Sequence, residues 1–424
     1  MNEICSAIVA AGDKGASKPR MGRVLLVAPG IPHSTEGGSS VVFFEYTKAL
    51  SQANVQVLNL LLLQPDNASE GRLSDYRKAL EESSRFDVLP CWSQSFVTSK
   101  RLHLDFDKAA VDAVREQVLA FDPDVIVALD IVSAWAAADL PARRKIVWLG
   151  DLNFETRWYV TLYARREGNL GLKHLVGNGL YSVLWAWVYR KVLRRFDSII
   201  VCAKSSERAV GWLGIKGRYL PYPWPQLSHK PRDASRLSPT PSLLFFGGLG
   251  GLGSRSAFHF LMDGIYPLLI EAFGRGGFRI VICGRGDLPE WTQREIDARP
   301  EIDFQGYIEN LDAVMDECHA LLAPIDVPVG NRTRILTAIS RHFPVIAHRN
   351  TALGNPDLVD GQTCYLAGTP EEFVDRIRRT VENPSETRRI VETAYRSYRQ
   401  SFGPENAIPP VLADIERGMS PGHA

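Results

Sequence analysis

Apolar residues in this chain fall in short unbroken runs separated by stretches with helical spacing. The run Arg23 to Pro29, R-V-L-L-V-A-P, ends at a Pro/Gly turn, the pattern of a parallel strand covered on both faces. The segment after it, E-G-G-S-S-V-V-F-F-E-Y-T-K-A-L-S-Q, offers two glycines, serines able to cap and apolar residues at helical spacing. It predicts a loop followed by a helix. The alternation recurs in N-V-Q-V-L-N-L-L-L-L, F-D-V-L-P, the helix D-K-A-A-V-D-A-V-R-E-Q-V-L-A-F, D-V-I-V-A-L-D, K-I-V-W-L-G-D and D-S-I-I-V-C. Strands alternating with helices predict a parallel α/β sheet.

Between Tyr222 and Ser242 the periodicity stops in Y-P-W-P-Q-L-S-H-K-P-R-D-A-S-R-L-S-P-T-P-S, which reads as a linker. A second alternating set starts at Leu243, and two helical stretches close the chain after Thr369. At 424 residues the chain exceeds what one core normally supports, so two domains are expected. The predicted division is a disordered leader over 1–21, an N-terminal α/β domain over 22–222 and a linker over 223–241. A second α/β domain follows over 242–384, then C-terminal helices over 385–424.

Charge changes this picture little. Against 48 Asp plus Glu stand 49 Lys plus Arg, a balance that argues against a nucleic-acid binder held by phosphate contacts. Six cysteines, at 5, 91, 202, 283, 318 and 364, show no C-x-x-C pair and read as reduced, buried thiols. The first twenty residues lack the long hydrophobic stretch of a secretory signal, so a cytoplasmic protein is expected.

The segment Pro328 to His348, P-V-G-N-R-T-R-I-L-T-A-I-S-R-H-F-P-V-I-A-H, reads as a glycine turn, a short basic helix and a buried strand. That order aims backbone N–H groups and two arginines at an anion beyond the strand ends. With L-L-F-F-G-G (243–248), F-R-I-V-I-C-G-R-G, I-D-F-Q-G-Y-I-E-N-L-D-A-V-M-D-E-C-H-A-L-L-A-P-I and D-G-Q-T-C-Y-L-A-G, it resembles the donor-binding half of the retaining glycosyltransferases built from two facing Rossmann-like domains. This is the GT-B type, and family 4 above all. The resemblance implies an α/β GT-B fold and transfer of a sugar from a nucleotide-diphosphate donor, a UDP- or GDP-sugar, to a glycan or lipid-linked glycan. It further implies retention of configuration and a last helix that crosses back to the N-terminal domain.

Such transfer needs the leaving diphosphate neutralised, and without a metal the charge comes from Arg, Lys and helix N-termini. The predicted donor loops offer Arg255, Arg285, Arg332 and Arg334. Arg334 stands where the family places a basic residue before its I-L-E-A pattern, whereas Arg332 also reads as a solvated helix arginine. Gly248, and Gly37 with Gly38 at a predicted helix start, let backbone approach a phosphate closely. Where family members carry the glutamate that grips the donor ribose, this chain has Thr337, whose neutral hydroxyl makes a weaker hydrogen bond. Asp326 stands near the first of the family's paired acidic residues. Tyr307 and Glu309 fall in the loop beside the nucleotide base. In the first domain, His33 is placed to contact acceptor or sugar. Asp130 and Asp151 end predicted strands, where each serves either as proton acceptor or sugar ligand or as a turn cap. No metal or cofactor is expected.

The stretch G-L-Y-S-V-L-W-A-W-V-Y-R-K-V-L-R-R-F (179–196) sets tryptophans beside four basic residues. It is too short in apolar length to span a bilayer and reads either as a packed helix or as a peripheral membrane contact. Two other functions stay open. Thr337 is compatible with a catalytically silent glycosyltransferase-like binding protein. G-L-G-G-L-G (248–253) satisfies G-x-G-x-x-G, but the next strand ends in Gly284 and Arg285 and not in an acid, leaving at most an NADP-dependent oxidoreductase.

Overall fold

The computed structural model describes residues 21–35, 38–66, 68–80, 85–100, 103–168, 172–225, 227, 237–286, 288–330 and 332–419. The expected leader over 1–21 therefore lies almost wholly outside the described residues. So do Gly37 and most of the polar linker.

Two parallel sheets form the molecule. The first contains β1 (Arg23–Ala28), β2 (Gln56–Leu63), β3 (Phe86–Trp92), β6 (Val125–Leu129), β7 (Arg144–Leu149), β8 (Ser198–Val201) and β9 (Arg218–Tyr219), in the order β3-β2-β1-β6-β7-β8-β9. An antiparallel pair, β4 (Val97–Lys100) and β5 (His103–Phe106), stands apart from it. The second sheet holds β10 (Ser242–Phe246), β11 (Arg279–Cys283), β12 (Ile302–Gly306), β13 (Ala320–Ala323), β14 (Val345–His348) and β15 (Tyr365–Ala367), ordered β12-β11-β10-β13-β14-β15. β1, β6, β10 and β13 are almost entirely buried, as strands covered by helices on both faces must be. The result is two Rossmann-like α/β domains.

Strand order reverses direction between β1 and β6 in one sheet and between β10 and β13 in the other. A parallel sheet opens a crevice at the carboxyl ends of such a pair, because the two connections leave for opposite faces. The first crevice is bounded by the loop leading to the helix Gly38–Gln52 and by Asp130. The second is bounded by Phe246-Gly247-Gly248 and by the loop 324–332.

Three devices join the domains. The helix Pro409–Met419 returns to the first sheet, where Asp414 takes hydrogen bonds from Arg144 (2.6 Å) and from the Ser198 hydroxyl. The beginning of the linker is pinned and not free. Tyr222 is buried against Trp148 and Phe402, and the Tyr398 hydroxyl donates to the carbonyl oxygens of Trp224 and Pro225. Proline content marked this stretch as irregular chain, but its two aromatics make it part of the core. Third, the helix Asn153–Arg166 of the first domain docks on the helix Leu252–Phe260 of the second. Glu167, at the end of the former, has a fully buried side chain and accepts from the Arg255 guanidinium and, at 3.3 Å, from His259.

One close backbone approach shapes the second crevice. A Cβ on Gly284 would stand 1.8 Å from the Gly247 carbonyl oxygen, and Gly284 has φ +156°. Only glycine fits there. Gly284→Ala is expected to cost about 1–3 kcal/mol of stability through overpacking, read as a lower urea midpoint; an unchanged midpoint would show that the two loops are not held this close.

Candidate functional site

Between the domains lies a cleft of about 790 Å³, within the size range of small-molecule sites. The first domain contributes Ser34, Thr35, Gly38 and Val41 to its walls. The linker adds Trp224, Pro225 and Leu227, and the second domain adds residues from four of its loops. Gly38 opens the helix Gly38–Gln52, and a Cβ there would lie 3.0 Å from the Thr333 hydroxyl. The starts of this helix and of Thr333–Ile339 thus meet across the domain seam. A smaller cavity of about 210 Å³ lies behind, lined by Asp151, Thr156, Gly251, Gly253, Val329 and Arg332. It shares Thr333 and Arg334 with the large cleft.

Arg334 stands at this junction. Its Nη2 donates to the Ser254 hydroxyl at 2.9 Å, its guanidinium lies 4.8 Å from the Phe245 ring centre, and its buried Nη1 has no hydrogen-bond partner among the described residues. Burial, with the charge of Arg332 beside it, pushes its pKa down to about 9. Arg332 donates from Nη2 to the Val327 carbonyl at 2.9 Å while its buried Nε has no hydrogen-bond partner among the described residues. Its pKa is also lowered by burial, partly offset by Asp151 and Asp326. Among the described residues neither guanidinium forms an ion pair with a carboxylate. Two partly buried cations side by side favour whatever anion can enter.

Around them, the other walls carry several of the residues singled out in the sequence. Gly248 lies on the loop after β10, and the neighbouring Gly247, at φ +128°, would place a Cβ 3.3 Å from the Arg334 guanidinium. Arg285 sits 4.3 Å from the Tyr307 ring centre, the ring itself being exposed. With Glu309 these form one end of the cleft. Thr337 also faces the cleft, but its hydroxyl donates to the Thr333 carbonyl of its own helix at 2.9 Å.

Three residues expected at the reaction centre stand elsewhere. Arg255 is held by Glu167 in the helix-to-helix contact and lines neither cavity. Asp326 accepts from Tyr163 (2.6 Å) and from Ser256, which makes it another tie between the domains. The His33 ring accepts from the Thr35 N–H within its own loop at 3.2 Å; its neighbours Ser34 and Thr35, not His33, reach the cleft. Arg255 and Asp326 satisfy partners that sequence distance hid. Gly37 lies outside the described residues.

On the first-domain side Asp151 shares the wall of the smaller cavity with the arginines and is grouped with Asp130 and Glu155. Asp130 has φ +74° at the strand end, the kind of sparsely populated geometry that persists only when the surroundings enforce it. Its Oδ1 accepts from the Ile131 N–H at 2.6 Å. Burial, with Asp151 adding to it, pushes its pKa up to about 6. Glu155 is pushed up to about 7 by burial and by Asp151. Asp151 reaches across the seam: a Cβ on Gly330 would lie 2.5 Å from its Oδ1. No pattern along the chain points to Glu155, Ser254 or Arg341, the last an arginine of the cleft wall that bonds Asp312 at 2.5 Å.

The arrangement matches known proteins at two levels. The family model described as "Glycosyl transferase 4-like domain" matches residues 37–223, and "Glycosyl transferases group 1" matches residues 240–383. No curated protein matches the chain. Similar solved structures include Anabaena Alr3699/HepE in complex with UDP, at 15% identity and TM-score 0.63, covering 94% of this chain and 100% of that one. A glycosyltransferase from Rickettsia africae has 11% identity and TM-score 0.64, covering 95% and 100%. S. aureus TarM, in complex with Fondaparinux, alpha-GlcNAc-glycerol and UDP, has 9% identity and TM-score 0.64, covering 94% and 100%. The two family models flank the linker and between them take in both sheets except β1 and most of the cleft wall, and the chain is a glycosyltransferase of GT-B architecture, a glycosyl transferase 4-like domain followed by a glycosyl transferases group 1 domain.

Proposed function

We propose that the cleft binds a nucleoside-diphosphate sugar and that the enzyme moves its hexose-like sugar to a hydroxyl of a glycan or lipid-linked glycan with retention of configuration. The observation that carries this reading is the pair Arg332 and Arg334, partly buried and, among the described residues, without a carboxylate ion pair at the junction of the two cavities. A diphosphate there supplies the missing counter-charge. As the anomeric C–O bond breaks, the electron pair stays on the β-phosphate oxygen, and preorganised guanidinium groups stabilise that charge. The glycine loop after β10 adds N–H donors, and the end of the cleft with Arg285 and Tyr307 suits a base. Complexes of HepE with UDP and with UDP-glucose favour uridine.

In this reading the sugar and acceptor occupy the smaller cavity beside Asp151, and Asp130, coupled to Asp151 though on the wall of neither cavity, takes the proton of the acceptor hydroxyl. At about 6 its pKa lies near neutrality, where a general base works best. A silent binding protein is the second reading. It is favoured by Thr337, whose hydroxyl proton is spent on its own helix.

Calorimetry with UDP and UDP-hexoses, followed by an assay of UDP release, separates the two readings. Binding with turnover supports the enzyme, and binding without turnover supports the silent form. Arg334→Ala is expected to lower turnover by about 10²–10³-fold and to diminish the thermal stabilisation by UDP. Unchanged values for both would remove Arg334 from the site.

Asp130→Asn makes a separable prediction. In the folded state this carboxyl binds its proton more tightly than in the unfolded chain, so wild-type stability falls as pH rises from about 4 to about 6. Asn keeps the left-handed backbone accessible and lacks the buried charge. The variant should gain up to about 3 kcal/mol at pH 7 and nothing below pH ~4, seen as a pH-dependent difference in urea midpoint. Turnover should fall at least ~10²-fold. If activity survives while stability rises, Asp130 is not the base.

A further inference from the structure

The helix Leu172–Leu193 is apolar on two opposed sides. Trp185, Val188, Tyr189 and Val192 are buried in the core of the first domain. On the other side Val176, Leu180, Val183 and Trp187 follow one another at intervals of four, three and four residues, which aligns them along one face. They are 67%, 41%, 64% and 56% exposed. Trp158 and Leu162, exposed on the adjacent helix Asn153–Arg166, extend the patch; the Trp158 ring lies 3.6 Å from where a Cβ of Gly179 would stand. No helix among the described residues is long and apolar enough to cross a membrane.

Charge around this patch has one sign. From Gly168 to Phe196 the sequence contains no Asp or Glu. At the carboxyl end of the stripe stand exposed Arg190, Lys191 and Arg194, and the Lys191 ammonium lies 5.1 Å from the Trp187 ring centre. Tryptophan flanked by cations at the rim of an apolar face is suited to the boundary between acyl chains and anionic headgroups.

We propose that this face is a docking surface for an anionic phospholipid bilayer, which takes up the side chains of Val176, Val183 and Trp187 and pairs its headgroups with Arg190, Lys191 and Arg194. A second copy of the chain is disfavoured because a two-fold interface sets a patch against itself, and this one has cations and no acid to answer them. The surface lies on the flank of the cleft. Its second helix starts two residues after Asp151, so docking would hold the acceptor side of the seam close to the bilayer.

Sedimentation of the full chain with lipid vesicles tests this without turnover, so it stands or falls separately from the donor assignment. With vesicles of three parts phosphatidylcholine to one part phosphatidylglycerol the protein should co-sediment, less so with phosphatidylcholine alone, and binding should weaken with salt. Lys191→Glu/Arg194→Glu is expected to lower the partition coefficient by at least ~10-fold. Val176→Ser/Val183→Ser/Trp187→Ser should abolish binding while the melting temperature and UDP release on a soluble acceptor stay as in the wild type. The proposal is overturned if the wild type ignores both vesicles, if either variant binds like the wild type, or if sedimentation velocity shows a dimer that the apolar variant dissociates.

Discussion

Two partly buried guanidinium groups that form no ion pair with a carboxylate among the described residues are the constraint on which this structure turns. Dehydrating a cation is unfavourable, and the fold compensates only in part. Arg334 has one hydroxyl and one aromatic face, and Arg332 has one carbonyl, with Asp151 and Asp326 acting from farther off. The cost is carried by the rest of the molecule. Both arginines stand at the start of a helix whose apolar residues Ile335, Leu336, Ala338 and Ile339 are anchored in the second domain. The strands on either side are buried along their length.

That constraint explains the division of labour between the two kinds of charge in the chain. Arginines that tie the domains together have their own acids: Arg255 has Glu167, Arg166 has Asp263 at 2.8 Å, and Arg144 has Asp414. Arginines that face the seam between the cavities do not. Of the acids that act on Arg332, Asp326 is bound to Tyr163 and Ser256, while Asp151 comes from the first domain, where burial holds its neighbours Asp130 and Glu155 well above the usual carboxylate range. Cation and acid are therefore presented from opposite lobes, with room between them for a substrate. The interdomain ties at Glu167 and Asp326 hold that separation, because removing one partner of a buried pair leaves the other uncompensated.

Much of the architecture was legible along the chain. The two alternating sets of strands and helices, the break after Tyr222 and the start of the second sheet near Leu243 follow from hydrophobic period and proline content, which are local properties. So does the placement of Arg334, Gly248, Arg285 and Tyr307 near strand ends, since the connections of a parallel sheet leave from one edge. The return of the last helix to the first sheet was implied by the resemblance and not by any periodicity.

What the sequence could not disclose was which charges cancel. Arg255 and Arg334 look alike in sequence, each basic and each just after a glycine-bearing loop, yet one meets Glu167 across the domain seam and the other meets a hydroxyl, Ser254, and an aromatic face, Phe245. Asp326 and Asp130 likewise both follow strands, yet one is bound by Tyr163 and Ser256 while the other, at φ +74°, accepts from the backbone N–H of Ile131. Partners 88 or 163 residues away are set by how two lobes dock. Local pattern thus determined the sheets and the edge at which chemistry happens. Tertiary packing alone decided which side chains at that edge are left with charge to offer a ligand, because electrostatic compensation depends on distance in space and not along the chain.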